Sequence, residues 1–183
     1  ACVAGDLSGC WNFTNGRLSP GIHTGNAVEA TGGFAGALPA HESMLFAVPD
    51  GMPDEVAVLA DPWSVSFHAI TRNPPPPGGR VLVYGSGALG SAATAILTQL
   101  YDDIEVGVVA QWDSQARLAA TMGATVFPPE PREQLVEEVA AWSGAPTLRP
   151  WNGLPVAYPG HVDVVYDTVG SPQTVEAAMR VLA

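Results

Sequence analysis

From residue 80 onward, short apolar runs alternate with helical stripes of apolar residues. Val81-Leu82-Val83-Tyr84 is a continuous apolar run, the pattern of a strand buried on both faces. Leu89, Ala92, Ala93, Ile96, Leu97 and Leu100 then recur at helical spacing and make one face of an amphipathic helix. Ile104 to Ala110 reads as a second buried strand, Gln115 to Met122 as a short helix, and Thr125 to Phe127 as a third strand. Arg132 to Trp142 is a helix with Leu135, Val136 and Val139 on one side. Val162 to Tyr166 is a fourth strand, and Pro172 to Ala183 a last helix carrying Val175, Ala178, Met179 and Leu182. Between them, Ser143 to His161 holds four prolines and three glycines and reads as an irregular insertion. Strands alternating with helices predict an α/β fold, a parallel sheet with helices on both faces.

The first part of the chain is patterned differently. Residues 1–30 are rich in Gly, Asn, Ser and Thr and read as loop. Thr31–Leu38 and Met44–Val48 read as strands, followed by a turn at Pro49 to Pro53. Pro53 suits the first position of a helix, with Asp54 and Glu55 where the helix dipole favours acids. A second helix after Asp61-Pro62 carries Trp63, Phe67 and Ile70. Asn73-Pro-Pro-Pro-Pro-Gly78-Gly79 is the clearest punctuation and predicts a stiff linker at a module boundary.

Composition narrows the function classes. Lys and Arg number 7 against 18 Asp and Glu, a formal charge of −11, which argues against a nucleic-acid or anionic-membrane surface. No apolar run approaches the ~20 residues of a membrane helix. The start, ACVAGDLSGC, has neither a signal peptide's basic head nor an initiator Met, and predicts a piece of a longer chain. Two cysteines make no disulfide framework, so a reducing compartment, the cytoplasm, is expected.

The stretch that carries chemistry is Gly85-Ser86-Gly87-Ala88-Leu89-Gly90. A G-x-G-x-x-G run is informative where it leaves a strand and opens a helix, and this one does both. Gly85 would make the tight turn, Gly87 would let backbone approach a pyrophosphate, and Gly90 would let helix and strand pack closely. The free N–H groups and positive end of the helix would then face the phosphates. The plainer alternative is a tight turn that binds nothing.

The segments GGFAGALPAHESMLFAVPDG, GSGALG and DVVYDTVGS, in this order around the proline linker, resemble the zinc-containing medium-chain dehydrogenase/reductase family, which includes alcohol, polyol and threonine dehydrogenases. The resemblance covers nearly the whole chain, with 143–161 matching poorly. It implies the end of a GroES-like catalytic domain at 1–72, a linker at 73–79 and an incomplete Rossmann domain at 80–183. It also implies hydride transfer between a small alcohol or carbonyl substrate and NAD(P), in a parent chain that self-associates. Cys2 and Cys10, spaced C-x7-C, resemble the last two of four cysteines holding a structural zinc; on their own they are two thiols. Asp61 resembles an acid at the catalytic zinc, a few residues before His68; on its own it is a helix cap. His41 and Glu42 belong to a recurrent family segment and read as structural.

The departure from the family pattern lies at the second strand. An acid about 20 residues past the glycine motif ordinarily holds the adenosine ribose hydroxyls. Here the strand ends in Ala110, Gln111 and Trp112. Asp113 could shift into that role, or Arg117 could reach a 2′-phosphate; the absent carboxylate tilts the expectation towards NADP. Asp167-Thr168-Val169-Gly170 resembles the loop passing beside the cofactor, with Gly170 permitting close approach and an ordinary strand-to-helix turn as the equal alternative. With the upstream zinc ligands missing, the 183 residues alone are expected to be inactive. The rival reading is a dinucleotide-binding module without catalysis, and the catalytic residues and substrate are not legible.

Overall fold

A computed structural model describes residue 36 and residues 45–183. Cys2, Cys10, His41, Glu42 and the strand expected at Thr31–Leu38 lie outside the described residues. The chain divides into two compact units, Ala1–Met52 and Pro53–Ala183. In the first, the strand expected at Met44–Val48 does not form over its described part. Residues 45–48 are exposed, Phe46 at 91%, and no described residue pairs with them in a ladder.

The second unit begins with α1 (Asp54–Ala57) and α2 (Ala60–Arg72). Pro53 caps α1 from outside, and Asp54 and Glu55 fill its first turn. Pro62 sits in the first turn of α2, where its missing N–H removes no helical hydrogen bond. Although the sequence places α2 before the linker, it packs into the nucleotide unit. Ile70 is 1% exposed and joins Val81, Ala93 and Leu97 in one cluster. Ser66 Oγ donates to the Leu89 carbonyl at 2.9 Å. The proline stretch is likewise tied down: Tyr166 Oη donates to Asn73 O, Gly79 N–H to Pro76 O, and Gly78 N–H to Asp103 Oδ2. It is a fastened strap, with the compact unit starting at Pro53.

The sheet consists of β1 (Arg80–Tyr84), β2 (Glu105–Val109), β3 (Thr125–Phe127) and a strand at Val164–Asp167, in the order β3-β2-β1-Val164–Asp167, all parallel. Helices α3 (Ala88–Leu100), α4 (Asp113–Thr121) and α5 (Arg132–Ser143) connect them. The apolar runs divide by the period of two. Val81, Val83, Val106 and Val108 face Ile96, Leu97 and Ala119 on one side. Leu82, Tyr84 and Val109 face Leu135, Val136 and Val139 on the other. Both faces are covered, which is why these strands read as unbroken apolar runs. Gly107 makes room on the second face: a Cβ there would lie 2.9 Å from the Phe127 ring and 3.2 Å from Trp142.

Gly144 ends α5 with φ +73, a left-handed C-cap. The insertion after it is less irregular than its prolines suggest. β4 (Thr147–Leu148) and β5 (Val156–Ala157) form a short antiparallel hairpin, so the strand at Val164–Asp167 is β6. Leu154 and Ala157 bury themselves, at 4% and 3% exposure. The last helix, α6 (Pro172–Met179), stops at Met179 rather than running to Ala183. Beyond it Leu182 bridges in parallel to Val162, and the Ala183 N–H donates to Val162 O at 2.9 Å. Val181 is buried there, so tertiary pairing overrides the helical stripe.

Candidate functional site

The glycine turn is built by contacts from both neighbouring strands. Gly85 leaves β1 with φ +96, which favours glycine, and its N–H donates to Val109 O of β2 at 3.0 Å. Gly87 is the N-cap of α3 and supplies no capping side chain. Gly90 lies in the first turn, so close to the strand that a Cβ would fall 2.1 Å from the Gly85 carbonyl oxygen. A Cβ on Gly87 would meet nothing within 4 Å.

The loop after β6 is fastened to this turn by Asp167 and Thr168, which the resemblance places in the loop without giving either a contact. Thr168 donates twice to Tyr84 O, from its backbone N–H at 2.9 Å and its hydroxyl at 3.0 Å. Asp167 Oδ1 accepts the N–H groups of Val169 and Gly170 at 2.9 and 3.0 Å. Its Oδ2 accepts the Thr174 hydroxyl at 2.7 Å. Ser171 and Thr174 form a reciprocal capping box that starts α6 (Pro172–Met179). The signal was present as Ser-Pro-x-Thr after a strand ending in Asp.

A cavity of about 480 Å³ opens at the carboxyl ends of the strands. Gly85, Ser86 and Gly87 line it from β1, Gln111 and Trp112 from β2, Glu130 and Arg132 from β3, and Thr168, Val169 and Ser171 from β6. The strand order turns back between β1 and β6, the crevice where open α/β sheets take ligands. A smaller cavity of about 270 Å³ lies between α2, α3 and β6, lined by Val65, Ser66, Leu89 and Tyr166. Thr168 lines both. Burial, then the nearby Glu130 charge, pushes the Tyr84 phenol upward, so it stays protonated at the wall of the larger cavity.

Of the residues singled out in the sequence, Gly85, Ser86, Gly87, Gln111 and Val169 line the larger cavity and Leu89 the smaller. Ala88, Gly90, Ala110 and Gly170 line neither. Ala110 is buried with its N–H bonded to Phe127 O. Gly170 has φ +71 and open space at its Cβ position, so the turn conformation accounts for its glycine. Asp113 and Arg117 are exposed on α4 and line neither cavity; the basic side chain that does is Arg132.

The residues present fit a pyrophosphate. The approach at Gly87 is open, α3 begins without a side-chain cap, and the buried Ser86 Oγ has no hydrogen-bond partner. They do not fit a metal ion in the same way. Asp61 is exposed in the first turn of α2 with no capping bond, and His68 is exposed. Among the described residues, no three His, Cys, Asp or Glu side chains gather as a metal site.

No protein-family model matches the chain. It is 24% identical over 149 residues to (R,R)-butanediol dehydrogenase of Bacillus subtilis, covering 81% of this chain and 38% of that one. It is 34% identical over 119 residues to L-threonine 3-dehydrogenase of Stenotrophomonas maltophilia, covering 63% and 34%. The chain is a homologue of the medium-chain alcohol, polyol and threonine dehydrogenases. Among solved structures, a mycobacterial protein complexed with NADPH superposes with a TM-score of 0.67 at 28% identity, covering 84% of this chain and 43% of that one. The chain spans less than half the length of the curated medium-chain dehydrogenases it matches. Among its described residues, no helix is long and apolar enough to cross a membrane.

Proposed function

We propose that this chain supplies the dinucleotide-binding part of an NAD(P)-linked oxidoreductase acting on a small alcohol or carbonyl substrate. The observation that carries the reading is a pair of cavities beside the glycine turn that share Thr168 in their walls. A dinucleotide has two ends joined by a pyrophosphate, and a turn open at Gly87 with a cavity at either hand suits that shape. The homologous dehydrogenases support the same class, and the NADPH complex of a similar structure supports the cofactor.

The chain's own residues would do three things. The N–H groups at the start of α3 would hold the pyrophosphate, with the helix dipole adding to the attraction. Ser86 would give its unpaired hydroxyl to the same phosphates. Thr168, fixed by two bonds to the Tyr84 carbonyl, would keep the β6 loop in the walls of the two cavities. When bound, the nicotinamide supplies the hydride acceptor. Zinc is proposed for the whole protein on the resemblance and the relatives, with Cys2 and Cys10 as candidate ligands of a structural ion and Asp61 as a candidate at a separate catalytic ion; so are self-association and a cytoplasmic location.

Calorimetric titration with NADH and NADPH tests the cofactor reading. Micromolar binding of either, lost in Gly87→Asp, is expected. Undiminished binding by that variant would overturn the assignment, because the aspartate would stand where the pyrophosphate lies.

A further inference from the structure

Arg132 reaches the larger cavity from outside the glycine motif. Every one of the chain's seven basic residues is an arginine, against a net charge of −11. Arg132 is the one cation among the residues lining this cavity. Its guanidinium donates from Nη1 to Glu176 Oε2 at 2.8 Å. Among the described residues that is the group's one hydrogen bond, out of five donors it can offer. Glu176 also faces Arg180 Nη2 at 3.6 Å. One carboxylate therefore serves two guanidinium groups, and the cluster keeps a net positive charge.

The acidic counterweight is small. Among the described residues, Glu130 is the one carboxylate lining the cavity. Its Oε2 accepts the backbone N–H of Arg132 at 3.1 Å, at the start of α5. The positive end of that helix partly offsets its charge. Where an acid would hold the adenosine ribose, β2 instead delivers Gln111 and Trp112 to the cavity. Asp113, the next residue, does not line the cavity, so the strand end brings no carboxylate to its wall.

We propose that Arg132 binds the 2′-phosphate of a phosphorylated adenosine and so makes the site select NADP(H) over NAD(H). The inference rests on the dinucleotide reading above. A phosphate of about −1.5 to −2 charge suits a guanidinium with unused donors, which can bind two of its oxygens in parallel. The cation arrives from β3 and α5, so the strand end where such selectivity is usually read gives no hint of it.

The test separates the adenosine end from the rest of the cofactor. The 183-residue chain is titrated calorimetrically with 5′-AMP and with 2′,5′-ADP, which differ by the 2′-phosphate. The chain should bind 2′,5′-ADP more tightly. Arg132→Ala should lose about tenfold to a hundredfold of that affinity and change AMP binding little. Arg132→Lys should recover part of the loss, and Glu130→Gln should strengthen 2′,5′-ADP binding. Retained AMP affinity and an unchanged melting temperature show that a variant is folded. Should Arg132→Ala unfold, the Lys and Gln variants decide, and unchanged discrimination in both overturns the proposal. Equal binding of the two nucleotides by the unmodified chain, or a preference that survives Arg132→Ala, also overturns it and leaves the dinucleotide reading standing. Failure of the unmodified chain to bind either nucleotide overturns both.

Discussion

A methyl group added to each of the three motif glycines would meet three different surroundings. At Gly85 it would meet the Thr168 hydroxyl and Val169, both at 2.7 Å, at a backbone φ of +96. At Gly90 it would strike the Gly85 carbonyl at 2.1 Å, which is backbone and cannot swing aside. At Gly87 it would meet open space. Gly90→Ala should therefore destabilise the fold by about 3 kcal/mol or more, as overpacking against a fixed neighbour does; urea denaturation of the variant measures this. Gly87→Asp should leave stability unchanged or slightly raised, since its φ of −77 is ordinary and Asp is a good N-cap. The same variant should lose dinucleotide binding. A stable Gly90→Ala protein would refute the close approach seen between α3 and β1. Gly85 and Gly90 were legible in the sequence because backbone sterics there leave few substitutes. The contacts of Thr168 and the place of Arg132 were not legible, because each acts across the sheet on residues distant in sequence.

At the scale of elements, the hairpin β4–β5 shows how far composition misleads. Its prolines and glycines suggest irregular chain, yet it buries Leu154 while leaving Trp151 98% exposed. Leu154→Ala should cost about 2 kcal/mol or more, within the usual range for a buried leucine. Trp151→Ala should stay within about 0.5 kcal/mol of the parent. Thermal melts of the two variants check the order, and equal losses would contradict the placement of the loop. The start of α6 offers a second test. Ser171→Ala removes the acceptor of the Thr174 N–H at 3.1 Å, an N-cap bond worth about 1 kcal/mol. It also removes the Ser171 hydroxyl's 3.3 Å contact with Thr174 Oγ1, the group that donates to Asp167 in the β6 loop. Nucleotide affinity should fall with stability, read by titration beside the melt. Helices α3 and α5 were legible from their stripes, to within a few residues, because burial of one face fixes the period. On α6 the expected stripe is not the buried face, for Val175 and Met179 are exposed while Thr174, Ala177 and Ala178 are buried. The end of α6 was not legible either, because Leu182 pairs with Val162 and no periodicity announces a partner strand.

For the molecule as a whole, the packing of α2 and the proline strap against the sheet creates a pH-sensitive seam. Tyr166 on β6 donates its hydroxyl to Asn73 O. Its pKa is pushed up to about 12 from the ordinary 10.0, first by burial and then by Tyr101. Below pH 10 the phenol is protonated in folded and unfolded chains alike. Between about 10 and 12 the unfolded chain releases that proton and the folded one keeps it, so stability falls as pH rises. Tyr166→Phe should flatten that alkaline limb and lower stability at neutral pH through loss of the bond to Asn73; denaturant melts across pH 8 to 11.5 read both. An unchanged slope would place the alkaline loss elsewhere. The sequence by itself determined the alternation of strands and helices, the glycine turn and the class of ligand it suits, because each is written in local sterics and in the period of apolar residues. Only the tertiary structure decided that α2 belongs with the nucleotide unit, that Thr168 lines two cavities, and that the cation in the larger one is Arg132 rather than Arg117. Those are meetings between residues far apart in the chain, set by strand order and helix packing, which no local pattern encodes.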